Sequence, residues 1–101
     1  MKDEFVYSIG VWGQRHYNYL KKNSPTVINV MRMNGTLEKY LRDIDQDASE
    51  MFDKMMRVFA EFEGITEQLK SDNQLEWVGR MNNIRARVTN IVNTELIYYL
   101  K

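Results

Sequence analysis

Few residues in this chain could do chemistry. His16 is the only histidine and cysteine is absent, so neither a thiolate zinc site nor a histidine-centred catalytic pair can be assembled from sequence neighbours. Asp43, Asp45 and Asp47 alternate as the first ligands of a calcium loop do. Such a loop needs Gly at its sixth position and a carboxylate at its twelfth, where Ala48 and Lys54 stand, so the match fails. No Gly-rich phosphate loop and no nucleophile elbow occurs. The catalytic, cofactor and metal residues are therefore read as none, His16 as a partly buried helix residue, and the protein as a non-enzyme.

What remains is polar surface suited to binding. Arg80, Asn83, Arg87, Asn90 and Thr94 recur at spacings of three and four, with Arg85 among them. Arg and Asn are apt for bidentate contacts with phosphate, carboxylate or base edges. Asp43, Asp47, Glu50 and Asp53 form an acidic set that a basic partner surface could meet. A third group, Arg15, Lys21, Lys22 and Arg32 interleaved with Trp12, Tyr17 and Tyr19, reads first as an aromatic core with a basic rim, and second as a nucleic-acid face.

Helices must carry these groups. With five Gly and a single Pro, the frequent turns of an all-β chain are missing. A first helix spans about 12–22 and stops at Asn23-Ser24-Pro25, where Ser24 is expected to cap a short second helix reaching about Met33. Asn34-Gly35 ends that helix, and Thr36 is expected to cap the third.

Leu37, Leu41, Ile44, Ala48, Met51, Met55, Val58 and Phe62 then draw one apolar seam at alternating spacings of four and three, widened by Phe52, Met56 and Phe59. Gly64 offers the stop, 65–70 an extra helical turn, and Ser71 with Gln74 a capping box. The last helix carries Trp77, Met81, Ile84, Val88 and Ile91, flanked by Val78 and Val92. Gly79, in its middle, costs roughly 1 kcal/mol relative to Ala and implies a close neighbour or a bend. The seven Met residues fit plain core packing.

The expected fold is all-α: a small helical bundle built on a long antiparallel helix hairpin, about 36–63 and 72–99, with two short N-terminal helices packed across it. At 101 residues the chain is one domain, 1–101, with residues 1–10 as a flexible N-terminal segment. The acid-then-base pairs Glu38–Arg42, Glu50–Lys54 and Asp53–Arg57 are expected on solvated faces. Absence of cysteine suits the cytoplasm, and no apolar run is long enough for a membrane span. Formal net charge is zero, which argues against a dedicated DNA binder, although residues 1–35 hold five basic against two acidic groups.

The stretch EGITEQLKSDNQLEWVGRMNNIRARV at 63–88, with ELIY at 95–98 and IDQDASEM at 44–51, resembles the transposon-encoded TnpV family. The likeness continues more loosely through IG at 9–10, YLKK at 19–22 and NGTLEKYL at 34–41, so it runs from about Tyr7. From the resemblance a longer N-terminal arm is expected than the residues before Tyr7 supply, and residues 24–35 are expected to diverge from the family pattern. The resemblance implies a small bacterial protein carried on mobile elements, with no catalytic residues to carry over.

Together these readings lead to an expected function: a non-enzymatic binding protein that contacts a nucleic-acid enzyme. That enzyme is either the element's own recombination machinery or a host defence nuclease, in the manner of anti-CRISPR inhibitors. The partner-binding residues are Arg80, Asn83, Arg85, Arg87 and Asn90 on one helix and Asp43, Asp47, Glu50 and Asp53 on another. The alternative is a DNA-binding accessory protein that uses the Arg/Asn face. A protein partner, a nuclease or recombinase, is expected, with nucleic acid as the rival, no membrane, and a homodimer as an open state.

Overall fold

In a computed structural model, which describes residues 3–98, the protein is an all-helical bundle of five α-helices. These are α1 (Val11–Asn23), α2 (Pro25–Asn34), α3 (Leu37–Phe62), α4 (Glu67–Asp72) and α5 (Gln74–Val92). A 3-10 turn, Glu4–Ser8, precedes them and a π turn, Asn93–Ile97, follows. Residues 3–10, expected to be flexible, are tied into the fold because Val6 and Ile9 are buried. The remainder of that segment, and residue 99 of the expected last helix, lie outside the described residues.

Local chemistry explains most boundaries. Gly35 sits at φ 72° and Gly64 at φ 71°, the left-handed region that glycine enters without steric cost. At both, the two backbone bonds of a Schellman closure form: Gly35 N donates to Arg32 O and Thr36 N to Met31 O, then Gly64 N to Glu61 O and Ile65 N to Ala60 O. The helix starts differ from expectation. Neither Ser24 nor Thr36 caps through its side chain, whereas Thr66 accepts from Leu69 N and Asn73 accepts from Glu76 N. The expected turn at 65–70 is thus α4, and α5 is capped by Asn73 and not by Ser71.

The core is two apolar clusters in series along α3. Val6, Ile9, Tyr17, Leu20, Ile28, Leu37 and Leu41 form the first, where α1, α2 and the N-terminal turn meet the start of α3. Ile44, Ala48, Met56, Ile65, Ile84, Val88, Val92 and Ile97 form the second, where α5 packs on α3. Tyr40 touches both. The short helices α1 and α2 therefore cover the start of α3, while at the other end Leu69 of α4 and Ile65 just before it pack against the α3–α5 core.

The expected seam shows the result. Leu37, Leu41, Ile44 and Ala48 are at most 5% exposed, while Val58 is 51% and Phe62 90% exposed. A seam of period 3.5 drifts by about 20° per heptad around a 3.6-residue helix, which carries Val58 about 60° from Leu37. Phe62 lies about five full turns beyond the buried Ile44, on the same side, so its exposure comes from its place at the very end of α3 and not from the drift.

Candidate functional site

His16 is a buried joint between elements. It is 1% exposed, Nδ1 lies 2.7 Å from Ile97 O and Nε2 2.8 Å from the Tyr40 hydroxyl. A carbonyl can only accept, so Nδ1 carries a proton, and the ring ties α1 to both α3 and the C-terminal turn. Among the described residues, no group of three or more His, Cys, Asp or Glu side chains could hold a metal ion.

The three expected aspartates have different fates. Asp45 turns inward and its Oδ1 accepts from Gly13 N at 2.9 Å, three residues after Gly10, the residue at the N-cap position of α1. It is the N-terminal cap of α1, supplied by another helix. The approach is close enough that a Cβ on Gly10 would lie 2.5 Å from Asp45 Oδ1, and one on Gly13 2.9 Å from Leu41 O. The spacing Gly10-x-x-Gly13 was the available signal for this contact, visible in the sequence but not tied to Asp45.

The acids on the outer side of α3 are all exposed: Asp43, Asp47, Glu50 and Asp53. At 100° per residue Asp43, Asp47 and Glu50 fall within about 60° of one another, and Asp53 stands beside them. Lys39 Nζ holds Asp43 at 2.8 Å, and Gln46 donates to Glu50 at 3.1 Å. Asp47 and Asp53 have no side-chain partner among the described residues. Of the expected acid-then-base pairs, Glu38–Arg42 closes at 2.9 Å, while Glu50–Lys54 and Asp53–Arg57 do not.

The Arg/Asn set on α5 divides. Arg80, Asn83, Arg87 and Asn90 share a strip about 80° wide, but Arg85 lies about 160° around the helix from Arg87. Arg80 pairs with Glu76 at 2.9 Å. Arg87 reaches Glu63 at 2.8 and 2.9 Å, donates to Asn83 Oδ1 at 3.0 Å and lies 5.7 Å from the Phe59 ring. Those hydrogen bonds hold the Glu63 carboxyl below the usual carboxylate range. Arg87 and Asn83 thereby clasp α5 to the end of α3, and only Arg85 and Asn90, both exposed, are left uncommitted among the described residues. A Cβ on Gly79 would meet nothing within 4 Å, so the close neighbour expected there is absent, and the fold gives no reason for glycine.

The N-terminal basic group is partly consumed as well. Asp3 accepts from Arg32 Nε at 3.2 Å and from Nη2, and from the Tyr17 hydroxyl at 2.7 Å, which binds the first turn to α1 and α2. Burial, and then this bond to Asp3, push the Tyr17 phenol up. Lys21 rests 5.8 Å from the Tyr17 ring and Arg15 4.9 Å from the Trp12 ring.

A family model described as transposon-encoded protein TnpV matches residues 1–97, including the segment at 24–35, and the chain belongs to that family. No curated protein and no solved structure matches it.

Proposed function

We propose that this member of the TnpV family works without catalysis, by presenting the acidic side of α3 to the basic groove of a nucleic-acid enzyme. The enzyme is the element's own recombinase or a host defence nuclease of the CRISPR type, which such contact would inhibit. One observation carries the reading: Asp43, Asp47, Glu50 and Asp53 all stand exposed and, among the described residues, Asp47 and Asp53 have no side-chain partner, whereas Arg80 and Arg87 of the competing face, also exposed, are ion-paired with Glu76 and Glu63. An acidic strip on a rigid helix can occupy a groove built for phosphates, because opposite potentials steer association and set its register.

The test is capture of partners from a bacterial host lysate by the tagged protein, with and without nuclease digestion, beside the double variant Asp47→Lys, Glu50→Lys. A nuclease or recombinase retained after digestion by the native chain, and reduced about tenfold or more by the variant, is the expected result. Loss of every partner on digestion, with gel-shift binding that falls steeply with salt and is abolished by Arg85→Glu, would instead assign the protein to DNA through the Arg/Asn residues of α5.

A further inference from the structure

Arg15 differs from the other oriented arginines. Arg32, Arg42, Arg80 and Arg87 are each ion-paired with a carboxylate. Arg15 is fixed by two neutral groups: its Nη1 donates to Asn93 Oδ1 at 2.9 Å, and its guanidinium lies 4.9 Å from the Trp12 ring centroid. It is oriented without being neutralised.

It also borders a surface groove of about 340 Å³ between α1 and the C-terminal turn, lined by Arg15, Asn18, Tyr19, Lys22, Asn23 and Tyr98. These six described residues comprise two cations, two amides, two phenols and no carboxylate. The Tyr19 and Tyr98 rings lie 5.4 Å apart at 46° and offer an aromatic surface. Asn23 Nδ2 donates to Tyr19 O at 2.9 Å, which leaves its side-chain oxygen as an acceptor. The groove on the other side of α1 is different, because Asp3 sits in it and takes up Arg32.

We propose that the Arg15–Tyr98 groove binds a phosphate-bearing aromatic ligand, either a nucleotide or a single-stranded nucleic acid. Arg15 and Lys22 hold the phosphate, a base stacks on the Tyr19–Tyr98 surface, and Asn18 and Asn23 face the base edge. The site is separate from the acidic side of α3 and does not rest on the role given to it.

The experiment measures binding of a labelled short oligothymidylate by fluorescence anisotropy, and of thymidine monophosphate by competition, over a salt series. The native chain is set beside Lys22→Glu, Arg15→Gln, Tyr98→Ala and the control Lys54→Glu on α3. Expected are a loss of affinity of about tenfold for Lys22→Glu and fivefold or more for Tyr98→Ala, with little change for Lys54→Glu. The slope of log affinity against log salt should fall by about 0.7 for each cation removed from the groove. Competition by the monophosphate identifies a free nucleotide as the ligand, and its failure identifies the strand, either result supporting the site. Lys22 is exposed, so its variant reports even if Arg15→Gln disturbs the fold. No binding of either probe by the native chain at low salt, or a loss in Lys22→Glu no larger than in Lys54→Glu, would overturn the proposal.

Discussion

Two glycines, Gly13 on α1 and Gly79 on α5, make opposite demands. Gly13 is buried where α1 comes down on α3, and a Cβ there would press on the Leu41 carbonyl and the Asp45 side chain. Gly79 is exposed in mid-helix with nothing near it. Gly13→Ala is expected to destabilise by about 1–3 kcal/mol through overpacking, and Gly79→Ala to stabilise by up to about 1 kcal/mol through helix propensity. Denaturant midpoints of the two variants check the signs. If both fall, Gly79 has a close neighbour after all. Asp45 belongs to the same contact, and its spacing with Asp43 and Asp47 suggested only a calcium loop that the rest of the sequence does not complete. The helix period already placed it about 160° from each of them, but not which helix it would meet.

At the scale of elements, helix ends were more legible than helix starts. Gly35 and Gly64 terminate α2 and α3 as their residue type demands, since a positive φ is costly to any residue with a Cβ. Starts were less certain because several Ser, Thr and Asn side chains compete for each. Ser24 and Thr36 are passed over, while Thr66 and Asn73 cap α4 and α5. Asn73→Ala should therefore cost about 1 kcal/mol, and Ser71→Ala little, read as the shift in melting temperature and as faster amide exchange at the start of α5.

The whole molecule is long for its size. Its radius of gyration is 17.0 Å over extents of 55 × 23 × 18 Å, against about 13 Å for a compact chain of 100 residues. Two small cores in series cannot share many contacts, so their coupling depends on the joint where His16 meets Tyr40 and Ile97. Burial pushes the Tyr40 phenol above its ordinary value of 10.0. For an acid whose folded pKa is raised, the stabilisation is whole below the unfolded pKa and lost as pH rises through the folded one. Thermal melts should thus fall above about pH 10, and Tyr40→Phe should flatten that fall while lowering stability by about 1 kcal/mol at neutral pH. An alkaline fall of equal size in the variant would remove Tyr40 from the joint.

By itself the sequence determined the helical class, the seam of α3, the glycine stops and the family likeness. Each follows from short-range spacing or residue type, which the chain carries wherever it folds. Only the tertiary structure decided which polar groups remain available. Arg87 is spent on Glu63, Arg32 on Asp3, and Asp45 on Gly13, whereas Asp47 and Arg15 have no ion-pair partner among the described residues. Each of these pairings joins residues at least 24 positions apart, and helical periodicity names the side of a helix a residue occupies but not what packs there.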